Sequence, residues 1–391
     1  MDKLELYELI AGGEDSFVEF KRDVSQRSDF ASEMVAFANT QGGRILVGVD
    51  DDGTIFGVAD AKKTEEAILN ISRDNVVPAL QITIDRVNDN GKTVLVVQVP
   101  RRTGHPYENN SGQCHIRVGS TKRLATPQER ARLLQAAGLV HFDETPVPGT
   151  SVGDFDIAAF EVFLQKALST SVAETNLPLQ QLLLNRRLMS PDLDNVPRLS
   201  VGGLLLFGRD PQRHMPQARI SAVRWKGDET GETILDRQEI TGRLPQLIDQ
   251  AEAFLRRNTT QASHIQGFKR EDRSQYPIEA LREVVVNAVA HRDYSRDSAQ
   301  IRLFIFDSRI EVHSPGGLPN SVTLENMKTG FSASRNRLIV QLLFNLGYMG
   351  SFGTGIPRIF RLMKDNKSAE PKLIISDAQL TVILFAPPVT V

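Results

Sequence analysis

The segment "REVVVNAVAHRDYS", residues 282–295, together with Glu279 before it, places apolar and polar side chains at helical spacing, which predicts an amphipathic helix. Pro277 suits the first turn of this helix. The polar positions recur every four residues and would share one face; they are Glu279, Glu283, Asn287 and His291. The apolar positions that would pack against a sheet are Leu281, Val284, Val285, Ala288 and Val289. A helix that must be buried therefore carries a stripe of acid, amide and imidazole groups, which indicates a site.

Strict alternation of apolar and polar residues predicts a half-buried strand at "VEFK", residues 18–21. Val18 and Phe20 would point one way, and Glu19 and Lys21 the other. The strand is therefore expected to bring an acid and a base to one face. Glu14 precedes Glu19 by five residues, a spacing that no single helix face accommodates, so it should reach in from the preceding turn.

A helix is predicted next, at "SDFASEMVAFANTQGG", where Ser28 or Asp29 can cap the start and Gly42–Gly43 stop the end. The strand "RILVGV" then leads into three aspartates, Asp50, Asp51 and Asp52. A hairpin turn before "TIFGV" explains at least two of these aspartates.

The chain has 391 residues, and because single cores seldom grow past about 250 to 300 residues, two or three domains are expected. The first, residues 1–138, mixes short strands and helices and ends in a helix with capping-box residues Thr126 and Glu129. Residues 139–154 include "DETPVPGTSVGD", the composition of an exposed linker.

The remaining chain is predicted to form a connector domain at residues 155–262 and a final domain at residues 263–391. The connector combines helical stretches with strand-like "VGGLLLFG" and "ARISAVRWKG". The final domain contains the polar-striped helix, two pairs of strands and two further helices. The predicted fold class is therefore α+β and multidomain.

Composition limits the functional classes. A formal net charge of -2 argues against a basic protein that coats nucleic acid and against an acidic tail, so any basic patch must be local. The single cysteine, Cys114, excludes an internal disulfide and a thiolate cluster for zinc, which fits a reducing compartment. Without a signal-like start or a run of about 20 apolar residues, a cytoplasmic protein that does not enter a membrane is expected.

"EDSFVEFKRD", "FANTQGGRILVGVDDDGTIFGV" and "CHIRVGSTKRLA" together resemble the Schlafen AlbA-type domain, an α+β domain. In nuclease members of that family, a motif of two glutamates and a lysine and a later aspartate form a metal-dependent site that cuts RNA. Carried over by position, these residues are Glu14, Glu19, Lys21 and Asp51. The three carboxylates would bind Mg²⁺ or Mn²⁺ while Lys21 steadies developing charge.

Two simpler interpretations of the charged residues in this region stay open. Glu19 and Lys21 could form a same-face ion pair on a strand, with Glu14 solvated. A set of basic residues could grip nucleic-acid phosphates, or could be a solvated rim that gives affinity without sequence choice. These residues are Arg101, Arg102, Arg117, Lys122 and Arg123.

In the last domain, "YPIEALREVVVNAVAHRDYS", "SPGGLP" and "GTGI" occur in the order of the GHKL (Bergerat) ATPase fold, an α/β sandwich, and are similar to the RecG-like predicted transcriptional regulators. The resemblance implies that Asn287 holds Mg²⁺ on the triphosphate of ATP and that Glu283 orients the attacking water. The cofactor-binding residues it implies are Asn287, His291, Gly316, Gly317, Gly353, Thr354 and Gly355. The alternative for the helix is a solvated polar face, and for His291 a capping or packing role.

One departure from the GHKL pattern concerns the nucleobase. Members of that fold carry an aspartate before the first glycine loop, where it bonds the adenine amino group, but this chain has Ser314. Glu311 or a backbone carbonyl would have to replace the aspartate, or the pocket accepts another nucleotide or none.

The sequence thus predicts a nucleotide-controlled effector that acts on RNA or DNA and forms homo-oligomers. ATP would bind with Mg²⁺ in the last domain, and the first domain would bind or cut nucleic acid. Two alternatives stay open. One is an ATP-sensing transcriptional regulator without nuclease activity, and the other is a protein-interaction switch that never touches nucleic acid.

Overall fold

The computed structural model describes residues 1–101, 104–231, 233–259, 261–266, 269–318, 322–330, 333–350, 353–376 and 378–387. The chain divides into two compact units, an N-terminal unit (Met1–Val140) and a C-terminal unit (His141–Val391). In the described ranges, no helix combines the length and the apolar character needed to cross a membrane.

The N-terminal unit packs helices against a four-stranded sheet. Its helices are α1 (Lys3–Gly12), α2 (Arg27–Asn39), α3 (Ala61–Asp74) and α4 (Pro127–Ala136). Its strands are β1 (Val18–Lys21), β2 (Gly43–Val47), β3 (Val76–Val77), β4 (Thr83–Asp89), β5 (Lys92–Val99), β6 (Glu108–Asn109), β7 (His115–Val118) and β8 (Thr121–Leu124). The sheet order is β1-β2-β5-β4, with β1 parallel to β2 and the other neighbours antiparallel.

Helix α2 forms the centre of this unit, since every residue from Phe30 to Ala38 is buried. Phe30 and Phe37 pack with sheet residues such as Ile45 and Val97 on one face of the sheet, and a second apolar cluster around Leu6 and Phe20 covers the other. Burying one such aromatic or aliphatic side chain stabilises a fold by roughly 1.5–3 kcal/mol. A sheet covered on both faces has no half-buried strands at its centre.

Strand β1 lies at the edge of this sheet, and it too is covered on both faces. Val18 and Phe20 are buried as expected, but Glu19 is only 5% exposed, so the predicted polar face is also covered. The turn predicted after β2 is present: the amide of Gly53 donates to Asp50 O at 2.8 Å, and Val49 bridges Ile55.

The C-terminal unit is built on a six-stranded sheet. Its helices are α5 (Ile157–Leu168), α6 (Leu179–Asn185), α7 (Val201–Phe207), α8 (Pro211–His214), α9 (Leu244–Asn258), α10 (Ile278–His291), α11 (Leu324–Lys328), α12 (Arg337–Asn345) and α13 (Gly355–Asp365). Its strands are β9 (Met189–Pro191), β10 (Pro197–Leu199), β11 (Ile220–Trp225), β12 (Ile234–Ile240), β13 (Gln261–Gln266), β14 (Lys269–Ser274), β15 (Ile301–Ile305), β16 (Arg309–Pro315), β17 (Lys372–Ile375) and β18 (Gln379–Phe385). The sheet order is β12-β11-β15-β16-β18-β17.

The prediction of a separate connector at residues 155–262 is wrong. Strand β11 pairs in parallel with β15, so a strand from the predicted connector lies inside the sheet of the predicted last domain. One apolar core also runs from Val147 to Leu384. Strand pairing between residues distant in sequence joins the two segments, and local composition carries no signal for it.

The predicted linker at residues 139–154 is likewise not an exposed boundary. Asp143 and Thr150 are fully buried. The Asp143 Oδ2 atom accepts a hydrogen bond of 3.0 Å from the amide of Ile339 in the first turn of α12, and burial raises the pKa of Asp143 to about 6. The polar residues of this segment serve as caps inside the fold.

The segment "VGGLLLFG", predicted to be strand-like, forms helix α7. The hydroxyl of Ser200 accepts from the amide of Gly203 at 3.0 Å and caps the helix, and all seven helical residues are buried. A short, continuous apolar run is compatible with a buried strand or a buried helix, because burial on every side removes the periodicity that separates them.

Candidate functional site

Helix α10 carries the predicted polar stripe and lies over β16, between α9 and α13. Its apolar positions are anchored in the core, with Val286, Val289 and Ala290 completely buried. This burial fixes the rotation of the helix, so that Glu283, Asn287 and His291 all face one pocket.

The pocket lies between α10, α13 and the sheet, and its cavity volume is about 120 Å³. Of the residues predicted for the nucleotide, it brings together Glu283, Asn287, His291, Gly316, Gly317, Gly353 and Gly355. Its apolar wall includes Val284, Val312, Val340, Ile356, Ile359 and Val382. An apolar cleft with a few convergent polar groups is the usual form of a small-molecule site.

The start of α13 touches the polar stripe directly. A methyl group on Gly355 would lie 2.4 Å from the Glu283 carboxylate and 3.0 Å from the Asn287 amide, so any side chain there would displace these two groups. Gly353 has φ +81°, and a side chain there would collide with the carbonyl of Gly330. The second glycine loop therefore places the N-terminus of a helix, which favours anions, against an acid and an amide.

Glu283 is the acid of this arrangement. Burial raises the pKa of its carboxyl, while the charge of Arg358 and the Asn287 amide act in the opposite direction. The Asn287 Nδ2 atom itself is buried and makes no hydrogen bond of good geometry. A partly buried acid beside an amide that is not fully bonded is typical of a polar site prepared for a ligand.

His291, at the end of α10, also lines the pocket. Burial, with a smaller contribution from the charge of Arg335, lowers the pKa of its imidazole to about 4. The ring is therefore neutral at physiological pH.

The first glycine loop is held by Arg335, a residue that sequence reasoning missed. Its Nη2 atom donates to Gly317 O at 2.8 Å, and its Nη1 atom lies 3.5 Å from Asp293 Oδ2. Gly316 has φ +105°, and a side chain there would collide with Arg335. Arg335 follows Gly317 by 18 positions, so no local periodicity signals the contact.

The positions of Ser314 and Glu311 show whether either side chain can take the place of the aspartate that the GHKL pattern has before the first glycine loop. The Ser314 hydroxyl faces α10 and donates to Ala288 O at 2.9 Å. Glu311 lies an odd number of residues away on β16, so it faces the other side of the sheet, where its oxygens bind Arg309 at 2.6 Å and His313 at 3.0 Å. Glu311 therefore does not replace the aspartate.

In the N-terminal unit, the structure brings Glu14, Glu19, Lys21 and Asp51 into one neighbourhood. The Glu14 Oε1 atom accepts from the amide of Phe20 at 2.8 Å. Burial raises the pKa of Glu14 against the effect of that hydrogen bond, and the charges of Glu19, Lys21 and Asp51 also act on it.

Both carboxylate oxygens of Glu19 belong to a buried ion-pair network. Its Oε1 atom lies 2.5 Å from Lys21 Nζ, and its Oε2 atom accepts from Arg117 Nη2 at 2.8 Å. Arg117 also contacts Glu33 at 3.1 Å, and Lys122 contacts Glu33 at 2.6 Å. Sequence reasoning missed Glu33, which lies on a helix where its neighbours predicted only core residues. The same-face ion pair considered from the sequence is thus part of a larger buried network.

This network does not fit the predicted metal site. Both Glu19 oxygens face cations, and one Glu14 oxygen is bonded to the backbone, so in this arrangement Glu19 is committed to its ion pairs and offers no free oxygen to a divalent ion. Across the described ranges, no group of three or more histidine, cysteine, aspartate or glutamate side chains is arranged to hold a metal.

Burial removes one residue, Arg117, from the predicted basic patch. The Arg117 side chain is completely buried and cannot reach a phosphate. Lys122 pairs with Asp29 and Glu33, and Arg123 pairs with Glu129 at 2.7 Å. Arg101 remains exposed, and Arg102 lies outside the described residues. Strand β7 turns Arg117 toward α2, where it lies 4.3 Å from the Phe37 ring centroid.

Family models match one segment in each of the two compact units. Residues 14–126 match the family model described as Schlafen, AlbA_2, and residues 298–384 match the family model described as Putative ATP-dependent DNA helicase recG C-terminal. The chain carries both domains. Both predicted resemblances and the α+β multidomain class are confirmed. The second match includes the two glycine loops and begins after α10, so the roles of Glu283 and Asn287 stay predictions.

Two solved structures are similar to this chain. The DIP2311 protein from Corynebacterium diphtheriae shares 23% identity, with 99% of this chain and 80% of that chain covered and a TM-score of 0.48. The N-terminal domain of a RecG-related protein from Nitrosomonas europaea shares 28% identity, with 31% of this chain and 90% of that chain covered and a TM-score of 0.26. No curated protein matches the chain.

Proposed function

We propose that the protein is a nucleotide-controlled regulator that binds nucleic acid without cutting it. The pocket of the C-terminal unit binds ATP with Mg²⁺, and the AlbA_2 domain contacts RNA or DNA. The observation that carries the proposal is the meeting of Glu283, Asn287 and Gly355 in one pocket of a RecG-type domain.

Asn287 and the start of α13 form the phosphate end of the pocket. An amide oxygen is a hard ligand of the kind that Mg²⁺ accepts, and in this proposal Asn287 supplies it. Gly353, Thr354 and Gly355 lead into an eleven-residue helix, whose N-terminus favours a negatively charged group. ATP bound with Mg²⁺ supplies a phosphate chain with its charge partly neutralised.

Glu283 lies one turn before Asn287 on the same face of α10, so it would stand beside the terminal phosphate. Burial moves the pKa of its carboxyl toward neutrality, where a group serves best as a base. We assign to Glu283 the orientation of a water molecule for hydrolysis, separate from nucleotide binding itself.

A groove at the edge of the N-terminal sheet supports the nucleic-acid part of the proposal. It has a volume of about 740 Å³ and includes Phe17, Gln41, Arg44 and Gln98. Arg44 is exposed and Phe17 is 47% exposed. Arginine can contact phosphates of any sequence, and an exposed aromatic ring can stack on a base.

Binding is favoured over cleavage because of Glu19. The residue that would have to coordinate a metal ion is already neutralised by Arg117 and Lys21. The N-terminal carboxylates therefore have a structural role in this proposal, and the nuclease becomes the second candidate that an experiment must separate.

Calorimetry with ATP and Mg²⁺ tests the C-terminal part. The unchanged protein is expected to bind ATP, and Asn287→Ala to weaken binding at least about tenfold, since each factor of ten corresponds to only about 1.4 kcal/mol. Asn185→Ala is the matched control, because Asn185 is exposed at the end of α6 and does not line the pocket. Equal affinity in all three proteins would contradict the assigned role of Asn287.

Incubation with labelled RNA and DNA, Mn²⁺ and ATP tests the N-terminal part. We expect salt-sensitive retention without cleavage, weakened in Arg44→Ala and Phe17→Ala. Arg86→Ala is the control, because Arg86 forms an exposed pair with Glu65. Cleavage that disappears in Glu19→Ala would establish the nuclease, and neither retention nor cleavage would favour the protein-interaction switch.

A further inference from the structure

The pocket has a second end, away from the phosphates. Helix α10 borders its whole length, and the rise of about 1.5 Å per residue separates Glu283 and His291 by about 12 Å along the axis. Ser314 and the first glycine loop at Gly316 and Gly317 lie toward the His291 end, since Ser314 is bonded to Ala288. If the phosphates lie at Glu283 and Asn287, this end faces the nucleobase.

Few side chains at this end can form a hydrogen bond with a base. Among the described residues that line the pocket, those with polar side chains are Glu283, Asn287, His291 and Ser314. The Ser314 hydroxyl donates its hydrogen bond to Ala288 O, so toward a base this side chain can only accept. The imidazole of His291 forms no hydrogen bond or ion pair with the described part of the chain, although its backbone belongs to α10.

The chemical character of His291 differs from that of a carboxylate. A neutral imidazole has one N–H donor and one nitrogen acceptor, and it can exchange the two by changing tautomer. A carboxylate only accepts. Adenine presents an amino group that donates, whereas guanine presents O6, which accepts, at the corresponding position. The low pKa of His291 agrees with a ring that stays neutral here.

We propose that His291 contacts the nucleobase in this pocket, so that the site takes purine nucleoside triphosphates and accepts adenine and guanine alike. The inference rests on the proposed nucleotide binding and adds the ligand class. A neutral ring accepts from the adenine amino group in one tautomer and donates to guanine O6 in the other. Because the Ser314 hydroxyl already donates to α10, the donor to guanine O6 in this proposal is His291.

Calorimetry with Mg²⁺ and three ligands tests the proposal on the full chain. ATP and GTP are expected to bind the unchanged protein within about fivefold of each other. His291→Leu, which removes donor and acceptor, should weaken both by about tenfold, the usual scale of one lost hydrogen bond. Inorganic tripolyphosphate, which has no base, should bind the unchanged protein and His291→Leu equally. His291→Gln keeps a donor and an acceptor and should retain most of the affinity for both nucleotides.

The outcomes separate this inference from the proposed function. ATP binding more than about fiftyfold tighter than GTP would overturn the shared recognition while leaving nucleotide binding intact. Equal losses for tripolyphosphate and both nucleotides in His291→Leu would show a general disturbance of the pocket and overturn the base contact. If neither nucleotide nor tripolyphosphate binds the unchanged protein, the proposed function itself fails. The comparison of ATP with GTP requires no variant and stays decisive even where a substitution unfolds the chain.

Discussion

Arg117 donates to the Glu19 carboxylate at 2.8 Å, and the exposed fractions of the two side chains are 0% and 7%. Two residues that the sequence suggested for phosphate contact and metal chemistry are therefore partners in the interior of the N-terminal unit. The same guanidinium donates to the backbone oxygens of Asp15 and Val18, so it also holds the entry to β1. Its role is structural.

Replacing Arg117 by methionine should lower the free energy of unfolding by about 3–5 kcal/mol, because it removes the one completely buried cation that Glu19 and Glu33 share. Urea denaturation of the full chain measures this change. Arg123→Met is the matched control, since its pair with Glu129 is more exposed and should contribute less than about 1 kcal/mol. Similar losses in both variants would contradict the structural role of Arg117.

Asp143 should make stability fall as pH rises. Its folded pKa of about 6 lies above the ordinary value of 3.8, so the folded state holds the proton more tightly. The stability present at low pH is therefore lost between about pH 4 and pH 6, by about 3 kcal/mol at 1.36 kcal/mol per pKa unit.

Asp143→Asn should consequently match the unchanged protein near pH 4 and exceed its stability at pH 8, because an amide oxygen can still accept from Ile339 without carrying charge. Urea melts at the two pH values provide the comparison. Asp194→Asn, at an exposed position, should track the unchanged protein at both. If Asp143→Asn is no more stable than the unchanged protein at pH 8, then Asp143 is not held in its neutral form.

Gly355→Ala should weaken ATP binding by at least about tenfold, a change of about 1.4 kcal/mol, since the added methyl group would displace Glu283 and Asn287. Gly350→Ala is the matched control: Gly350 also lines the pocket, but its methyl group would meet nothing closer than 3.9 Å. Calorimetry and thermal unfolding on both variants separate a pocket effect from a folding effect. Unchanged affinity in Gly355→Ala would place the phosphates elsewhere.

Glu283→Gln should retain ATP binding and reduce hydrolysis by roughly 10²- to 10⁴-fold, because the amide keeps the shape of the side chain but cannot take a proton. Phosphate release measures turnover, and calorimetry measures binding on the same preparation. Glu279→Gln is the control, since Glu279 belongs to the same helix but does not line the pocket. Undiminished phosphate release would remove Glu283 from its assigned role.

Features that depend on neighbouring residues were predictable. The capping box of Thr126 and Glu129 is present, the turn at Asp50–Gly53 is present, and the predicted polar-striped helix is present as α10. Each depends on contacts within a few positions of the chain, so the residue types and their spacing carry the information.

Features that depend on distant partners were not predictable. Arg335 meets Gly317 across 18 positions, and Arg117 meets Glu19 across 98. A basic residue in the sequence looks the same whether it faces solvent or a buried carboxylate. The absence of periodicity in "VGGLLLFG" likewise allowed the wrong prediction of a strand, because burial on all sides removes the pattern that marks a helix.

The amino-acid sequence by itself determined the polar stripe of α10 and the two glycine loops, because helical spacing and the need for glycine are properties of short segments. Only the tertiary structure decided that Gly355 meets Glu283 and Asn287, that β11 joins the sheet of β15, and that Arg117 neutralises Glu19. Those outcomes depend on which distant surfaces exclude water together, and burial then decides whether a charge stays available to a ligand or is taken up by a partner.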